Sequence, residues 1–155
     1  MTIAVDFDGT IVEHKYPEIG KPIPFALEVL RKLCEEGKHK LILWTMREGS
    51  LLQEAVDYCE KNGVYFYAYN KNYPEEDMQY GSPRKINVDL FIDDRNIGGL
   101  LNWDLIYKII KSGSNTVQDF HRIENSIRLQ YGKNWMIRLG EAWEKAKERR
   151  AVRRK

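Results

Sequence analysis

The chain has 155 residues, of which 43% are hydrophobic and 31% charged, and its formal net charge is +2. This composition suits one ordinary globular domain and excludes a disordered chain. No apolar run approaches the ~20 residues of a membrane span, and the first residues lack a leader pattern. The two cysteines, Cys34 and Cys59, fall on apolar helix faces and are expected to be free buried thiols. We therefore expect a cytoplasmic protein without a membrane partner.

Apolar periodicity predicts strands that alternate with helices. Strands are expected over 3–5, 40–45, 64–69 and 88–92. Helices are expected between Pro24 and Gly37, across 52–59 up to Asn62-Gly63, and over 101–110. This alternation predicts right-handed βαβ units and a parallel sheet covered on both faces.

The pattern changes after residue 112. Apolar stripes over 117–127 and 136–146 predict two amphipathic helices, and no strand follows. Residues 141–155 contain seven Lys/Arg and three Glu, so the positive charge belongs to this segment. We expect an α/β core over 1–112 and a helical extension with a basic tail over 113–155.

Polar residues cluster at the ends of the predicted strands. The set comprises Asp6, Asp8, Thr45, Arg47, Lys85, Asp93 and Asp94. The carboxyl ends of parallel strands meet at one edge of a sheet, where ligands bind. Carboxylates suit Mg²⁺, whereas hydroxyl groups and cations suit phosphoryl oxygens. The set predicts a site for Mg²⁺ and a phosphate group.

Four features of the chain resemble the four motifs of the haloacid dehalogenase-like (HAD) superfamily. They are the segment DFDGT, the threonine after the second strand, the lysine, and the acidic pair after the fourth strand. The resemblance covers roughly residues 2–111. It implies a Rossmann-like three-layer sandwich with a mainly parallel sheet. It also implies an Mg²⁺-dependent phosphomonoester hydrolase that acts through an aspartyl-phosphate.

The same resemblance implies roles for the acidic residues. Asp6 is expected to be the nucleophile, and Asp8 the general acid and then the base. Asp6, Asp93 and the main-chain carbonyl of Asp8 are expected to bind Mg²⁺. Asp94 is expected to act on the metal through a water molecule. The acid at position 8 favours phosphatases over dehalogenases.

Three further residues are expected at the phosphate. The resemblance places Thr45 on a phosphoryl oxygen and Lys85 beside the nucleophile. Thr45-x-Arg47 resembles the second motif of some polynucleotide-end phosphatases, so Arg47 is expected to add a phosphate contact. A surface ion pair is the alternative for Arg47. For Lys85 the alternative is a solvated loop position, with Arg84 in its place at the site.

The two intervals that hold cap domains in larger relatives are short here. Residues 9–24 number 16 and residues 70–87 number 18, too few for a folded cap. The sequence thus predicts an open site of the small phosphatase type without a cap, acting on a small phosphorylated substrate. A polynucleotide-end phosphatase, with nucleic acid as partner, and a non-catalytic binding protein remain as alternatives. So do ordinary turn roles for Asp6 and Asp8, strand propensity alone for Thr45, and a helix N-cap at Asp93 or Asp94.

Overall fold

The computed structural model describes residues 1–77 and 84–113, together with Arg122 and Asn125. The chain divides into two units, Met1–Ile110 and Lys111–Lys155. Nearly all described residues belong to the first unit. The predicted helices over 117–127 and 136–146 and the basic tail lie outside the described residues, apart from Arg122 and Asn125.

The described part of the chain forms a four-stranded parallel sheet and three helices. In chain order these are β1 (Thr2–Val5), α1 (Ala26–Glu36), β2 (Lys40–Leu43), α2 (Gly49–Lys61), β3 (Ala68–Tyr69), β4 (Leu90–Ile92) and α3 (Trp103–Lys111). The strand order is β3-β2-β1-β4, and all three pairings are parallel. The predicted α/β class is confirmed.

Helix ends follow the signals in the sequence. Gly37 adopts a left-handed conformation (φ 62°) after α1 and donates its N–H to the carbonyl of Cys34. Asn62 closes α2 by donating its N–H to the carbonyl of Cys59. Both cysteines are free, Cys59 is buried and Cys34 partly so. None of the described helices is long and apolar enough to cross a bilayer.

Strand β3 is much shorter than predicted. The apolar run over 64–69 predicts six residues of strand, but only Ala68–Tyr69 pair with β2. The N–H of Val64 donates to the carbonyl of Cys59, which draws the start of the run into the turn that ends α2. Because β3 is an edge strand, nothing on its other side within the described sheet extends the pairing.

The two faces of the sheet are covered differently. Ile3, Val5 and their neighbours on one face join a large apolar cluster that includes buried residues of all three helices. The opposite face carries a small cluster, formed by Ala4, Ile42, Ala68 and Ile86, to which no described helix contributes. The predicted helical cover on both faces is therefore not seen in the described residues. The reason is local, because the described parts of the connection between β3 and β4 contain no helix.

Candidate functional site

Three carboxylates meet at the carboxyl edge of the sheet. Asp6 directly follows β1, and Asp93 and Asp94 directly follow the adjacent strand β4. Each offers an oxygen atom, and these atoms lie within 4.8 Å of one another. The main-chain N–H of Asp6 donates to the carbonyl of Ile92, so the parallel pairing itself brings the two strand ends together.

The carboxylate of Asp94 packs against the backbone of Gly9. A Cβ built on Gly9 would overlap Oδ2 of Asp94, and the φ of Gly9 is +91°, a conformation that side chains disfavour. The other oxygen, Oδ1 of Asp94, is buried and has no hydrogen-bond partner among the described residues. An unpaired buried carboxylate oxygen is costly, so this position suits a cation.

Thr10 links the loops that follow β1 and β4. This residue is fully buried, and its hydroxyl accepts the main-chain N–H of Asp94 at 3.0 Å. The same hydroxyl lies 3.5 Å from Oδ2 of Asp6, at the outer limit of a hydrogen bond. The indole N–H of Trp103 donates to the carbonyl of Thr10 at 3.0 Å. These contacts hold Asp6 and Asp94 at a set separation.

The environment of Asp6 disfavours its charged form. The pKa of Asp6 is raised from 3.8 to about 6, and burial of the carboxyl group is the largest cause. The hydrogen bond from the N–H of Phe7 opposes this shift, whereas repulsion from Asp93, Asp94 and Asp8 contributes to it. A bound cation would offset both the cost of burying the charged carboxylate and the repulsion from the neighbouring carboxylates. The donor set, three hard oxygens, fits Mg²⁺.

Asp8 is not among the three carboxylates of this cluster, and its side chain pairs with Arg47. Nε and Nη2 of Arg47 donate to the two carboxylate oxygens of Asp8, each at 2.7 Å. Arg47 is fully buried, and its side chain also donates to the carbonyls of Pro17 and Glu18. This ion pair raises the pKa of Arg47. The surface ion pair considered for Arg47 is therefore wrong, because the pair is buried.

Asn70 shapes the loop that carries Thr45. Oδ1 of Asn70 accepts the main-chain N–H of Thr45 at 2.8 Å, and Nδ2 donates to the carbonyl of Arg47 at 3.2 Å. The hydroxyl of Thr45 accepts the N–H of Arg47 at 3.3 Å. Asn70 has a φ of +52°, which asparagine tolerates better than most residues.

The structure also places Lys85 and the acidic pair Asp93-Asp94. Lys85 is exposed and forms no ion pair with Asp6 or any other described residue. Oδ1 of Asp93 accepts the N–H of Arg95 at 2.7 Å in a turn. Because α3 begins at Trp103, neither Asp93 nor Asp94 caps that helix, and the N-cap alternative is wrong. Asp94 belongs to the same cluster as Asp93, and its expected role through a water molecule stays a prediction.

No cap domain covers the site in the described residues. The segment after β1 folds back on itself, with the N–H of Glu13 donating to the carbonyl of Lys21 and that of Ile23 to Ile11. Its tip, at Pro17 and Glu18, is the part that Arg47 contacts. We call residues 9–24 the flap. Tyr16 in the flap and Met46 in the loop after β2 expose large side chains to solvent.

Sequence reasoning missed Thr10 and Asn70 as site residues. Thr10 ends the DFDGT segment, and its hydroxyl is the group that joins the two acidic loops. Asn70 directly follows β3, the same kind of position that singled out the other site residues. Position at a strand end was thus a usable signal for Asn70.

These features define an α/β protein whose parallel sheet carries an acidic cluster at its carboxyl edge. The chain matches no protein-family model and no curated protein. It is 60% identical to a conserved protein of Bacteroides thetaiotaomicron whose structure is solved, with a TM-score of 0.68 over 74% of this chain and 92% of that chain. The chain belongs to the same family as that conserved protein.

Proposed function

We propose that this protein is an Mg²⁺-dependent phosphomonoester hydrolase with a Rossmann-like core of the HAD type. The observation that carries the proposal is the Asp6–Asp93–Asp94 cluster, with one buried oxygen of Asp94 lacking a partner among the described residues. Aspartates with an ordinary turn role need no buried carboxylate oxygen without a partner. A cation that binds hard oxygens accounts for both the cluster and the orphaned atom.

Asp6 is the proposed nucleophile. Its carboxylate attacks phosphorus, and the bond from phosphorus to the leaving oxygen breaks as that oxygen takes a proton from Asp8. Water then attacks the aspartyl-phosphate and gives a proton to Asp8, while inorganic phosphate leaves and Asp6 is restored. Asp6, Asp93 and Asp94 would hold Mg²⁺, which offsets the negative charge of the carboxylates and the phosphoryl group when bound.

Thr45 is the proposed phosphate ligand on the second strand. Its hydroxyl oxygen accepts an N–H, while its hydroxyl proton has no acceptor among the described residues. That proton is suited to donate to a phosphoryl oxygen. Lys85 would need to move toward Asp6 to serve there, and its exposed position leaves it room to do so.

The test is release of inorganic phosphate from p-nitrophenyl phosphate with and without Mg²⁺. We expect turnover by the wild type that EDTA abolishes, and no turnover by Asp6→Asn, which keeps the side-chain volume but removes the attacking anion. Asp57→Asn is the matched control, since Asp57 is exposed on α2 and away from the strand ends. Lack of wild-type turnover across sugar phosphates, nucleotides and phosphorylated oligonucleotides would favour the non-catalytic alternative.

A further inference from the structure

Arg47 has nearly exhausted its hydrogen-bonding capacity inside the protein. A guanidinium group has five N–H groups. In Arg47, two donate to Asp8 and two others to the carbonyls of Pro17 and Glu18, at 2.7–3.0 Å. At most one N–H is left for a substrate. A residue that binds a phosphate group would be expected to present several.

Two aromatic rings hold the guanidinium group in place. Cζ of Arg47 lies 5.0 Å from the ring centroid of Phe7 and 5.4 Å from that of Tyr16. Phe7 is fully buried, whereas Tyr16 is about half exposed, at 52%. Swinging Arg47 toward the cluster of Asp6 would break four hydrogen bonds and both ring contacts. The observed position is therefore strongly preferred.

We propose that Arg47 is a positioning residue for Asp8 and does not bind the phosphoryl group of the substrate. The proposal rests on the proposed function, in which Asp8 exchanges a proton with the leaving group and with water. The bidentate contact fixes the plane and direction of the Asp8 carboxylate. By binding the flap tip as well, Arg47 holds the flap beside the group that it orients.

The experiment compares two substrates that differ in their need for a proton. p-Nitrophenyl phosphate has a good leaving group, whereas an alkyl phosphate needs its leaving oxygen protonated. For Arg47→Met we expect kcat to fall about 10²-fold with the alkyl phosphate, the usual cost of a misplaced catalytic group, and much less with p-nitrophenyl phosphate. KM and the inhibition constant of inorganic phosphate should stay within about twofold, since phosphate binding is intact.

Arg47→Lys tests orientation separately from charge. Lysine keeps the positive charge but cannot form the planar two-bond contact. It should therefore show the same split between the two substrates. Arg31→Met is the control for loss of an arginine. Nε of Arg31 donates to the carbonyl of Asn62, which closes α2 and is not one of the site residues.

A double variant keeps the test decisive even where Arg47→Met alone fails to fold. Asp8→Asn with Arg47→Met removes both charges together and leaves no unpaired ion. If Arg47 acts through Asp8, the double variant should be no slower than Asp8→Asn alone. A further loss in kcat/KM, or weaker inhibition by phosphate, would overturn the proposal. So would an equal loss with both substrates in Arg47→Met. If the wild type itself hydrolyses neither substrate with Mg²⁺, the proposed function fails, and this proposal fails with it.

Discussion

Gly9 and Asp94 lie too close for any side chain to be added at residue 9. A Cβ on Gly9 would overlap Oδ2 of Asp94, although the two residues are far apart in the chain. The contact presses the loop after β1 against the loop after β4. The other oxygen of Asp94, Oδ1, is buried.

Gly9→Ala should therefore destabilise the protein and weaken Mg²⁺ binding. The positive φ of Gly9 is unfavourable for alanine, at about 1–3 kcal/mol, and the overlap must displace Asp94. Gly98→Ala is the matched control, because Gly98 has a similar φ of +96° with nothing within 4 Å of its Cβ. Urea denaturation with and without Mg²⁺ measures both effects. Equal losses of stability and of Mg²⁺ response in the two variants would show that the contact with Asp94 has no importance.

Removal of either Asp93 or Asp94 should reduce the response to Mg²⁺. A ligand that binds only the folded state raises its melting temperature by mass action. We expect the wild type to melt higher with Mg²⁺, and Asp93→Asn and Asp94→Asn to gain less. Differential scanning fluorimetry across Mg²⁺ concentrations shows which of the two substitutions reduces the Mg²⁺-dependent rise in melting temperature more. A full response in Asp94→Asn would return Asp94 to the role through a water molecule that the sequence predicts.

The metal-free protein should lose stability as the pH rises through the pKa of Asp6. The pKa in the folded state, about 6, exceeds the ordinary value of 3.8, so the folded state holds this proton more tightly than the unfolded state. The resulting stabilisation is present below pH 3.8 and is lost between pH 3.8 and about 6. Above the pKa of Asp6, the folded protein must hold a partly buried charged carboxylate, which costs stability, and Asp6→Asn removes that cost. At pH 7 it should be more stable than the wild type by about 1–2 kcal/mol, allowing for solvent screening of a partly exposed group.

This effect is measured by urea denaturation in EDTA at several pH values. The difference between Asp6→Asn and wild type should disappear near pH 4, where Asp6 is protonated in the folded state. Asp57→Asn is the control for loss of an exposed carboxylate. A wild type more stable than Asp6→Asn at pH 7 without metal would mean that the fold stabilises the charged carboxylate of Asp6, and that burial and repulsion do not dominate its pKa.

How much of the fold and the site could be predicted from the sequence depends on how far apart in the chain the interacting residues lie. The left-handed turn at Gly37 and the end of α2 at Asn62 depend on nearby residues, and both were predictable. Parallel pairing then brings Asp6 and Asp93 to one edge by a general rule. The length of β3 was not predictable, because a hydrogen bond between Val64 and Cys59 competes with strand pairing.

The partner of Asp8 shows where sequence reasoning ends. Asp8 and Arg47 are 39 residues apart, and their contact depends on how the loops after β1 and β2 come together. The sequence left two expectations for Arg47, a phosphate contact and a surface ion pair. Only its burial and its contacts with the carbonyls of Pro17 and Glu18 separate these outcomes.

Thr10→Val should destabilise the protein by about 1–3 kcal/mol. The substitution keeps the shape of the side chain but removes the acceptor for the partly buried N–H of Asp94. Thr2→Val is the control, because it changes a partly exposed strand residue, where valine is well tolerated. The free energies of unfolding in urea give the comparison. A Thr10→Val cost no larger than that of Thr2→Val would show that water replaces the hydroxyl as acceptor.

Deletion of residues 149–155 separates a small phosphorylated substrate from the polynucleotide-end alternative. This segment carries five basic side chains and no acid, and it lies outside the described residues. Since the proposed chemistry belongs to the strand-end loops, turnover of p-nitrophenyl phosphate should not change. If the tail binds nucleic acid, the deletion should weaken binding of a phosphorylated oligonucleotide at low salt, because contacts between basic side chains and phosphates fall steeply with salt. Fluorescence anisotropy at about 50 mM salt, where such contacts are strong, measures that binding. If the full chain binds no oligonucleotide under that condition, the nucleic-acid alternative is excluded.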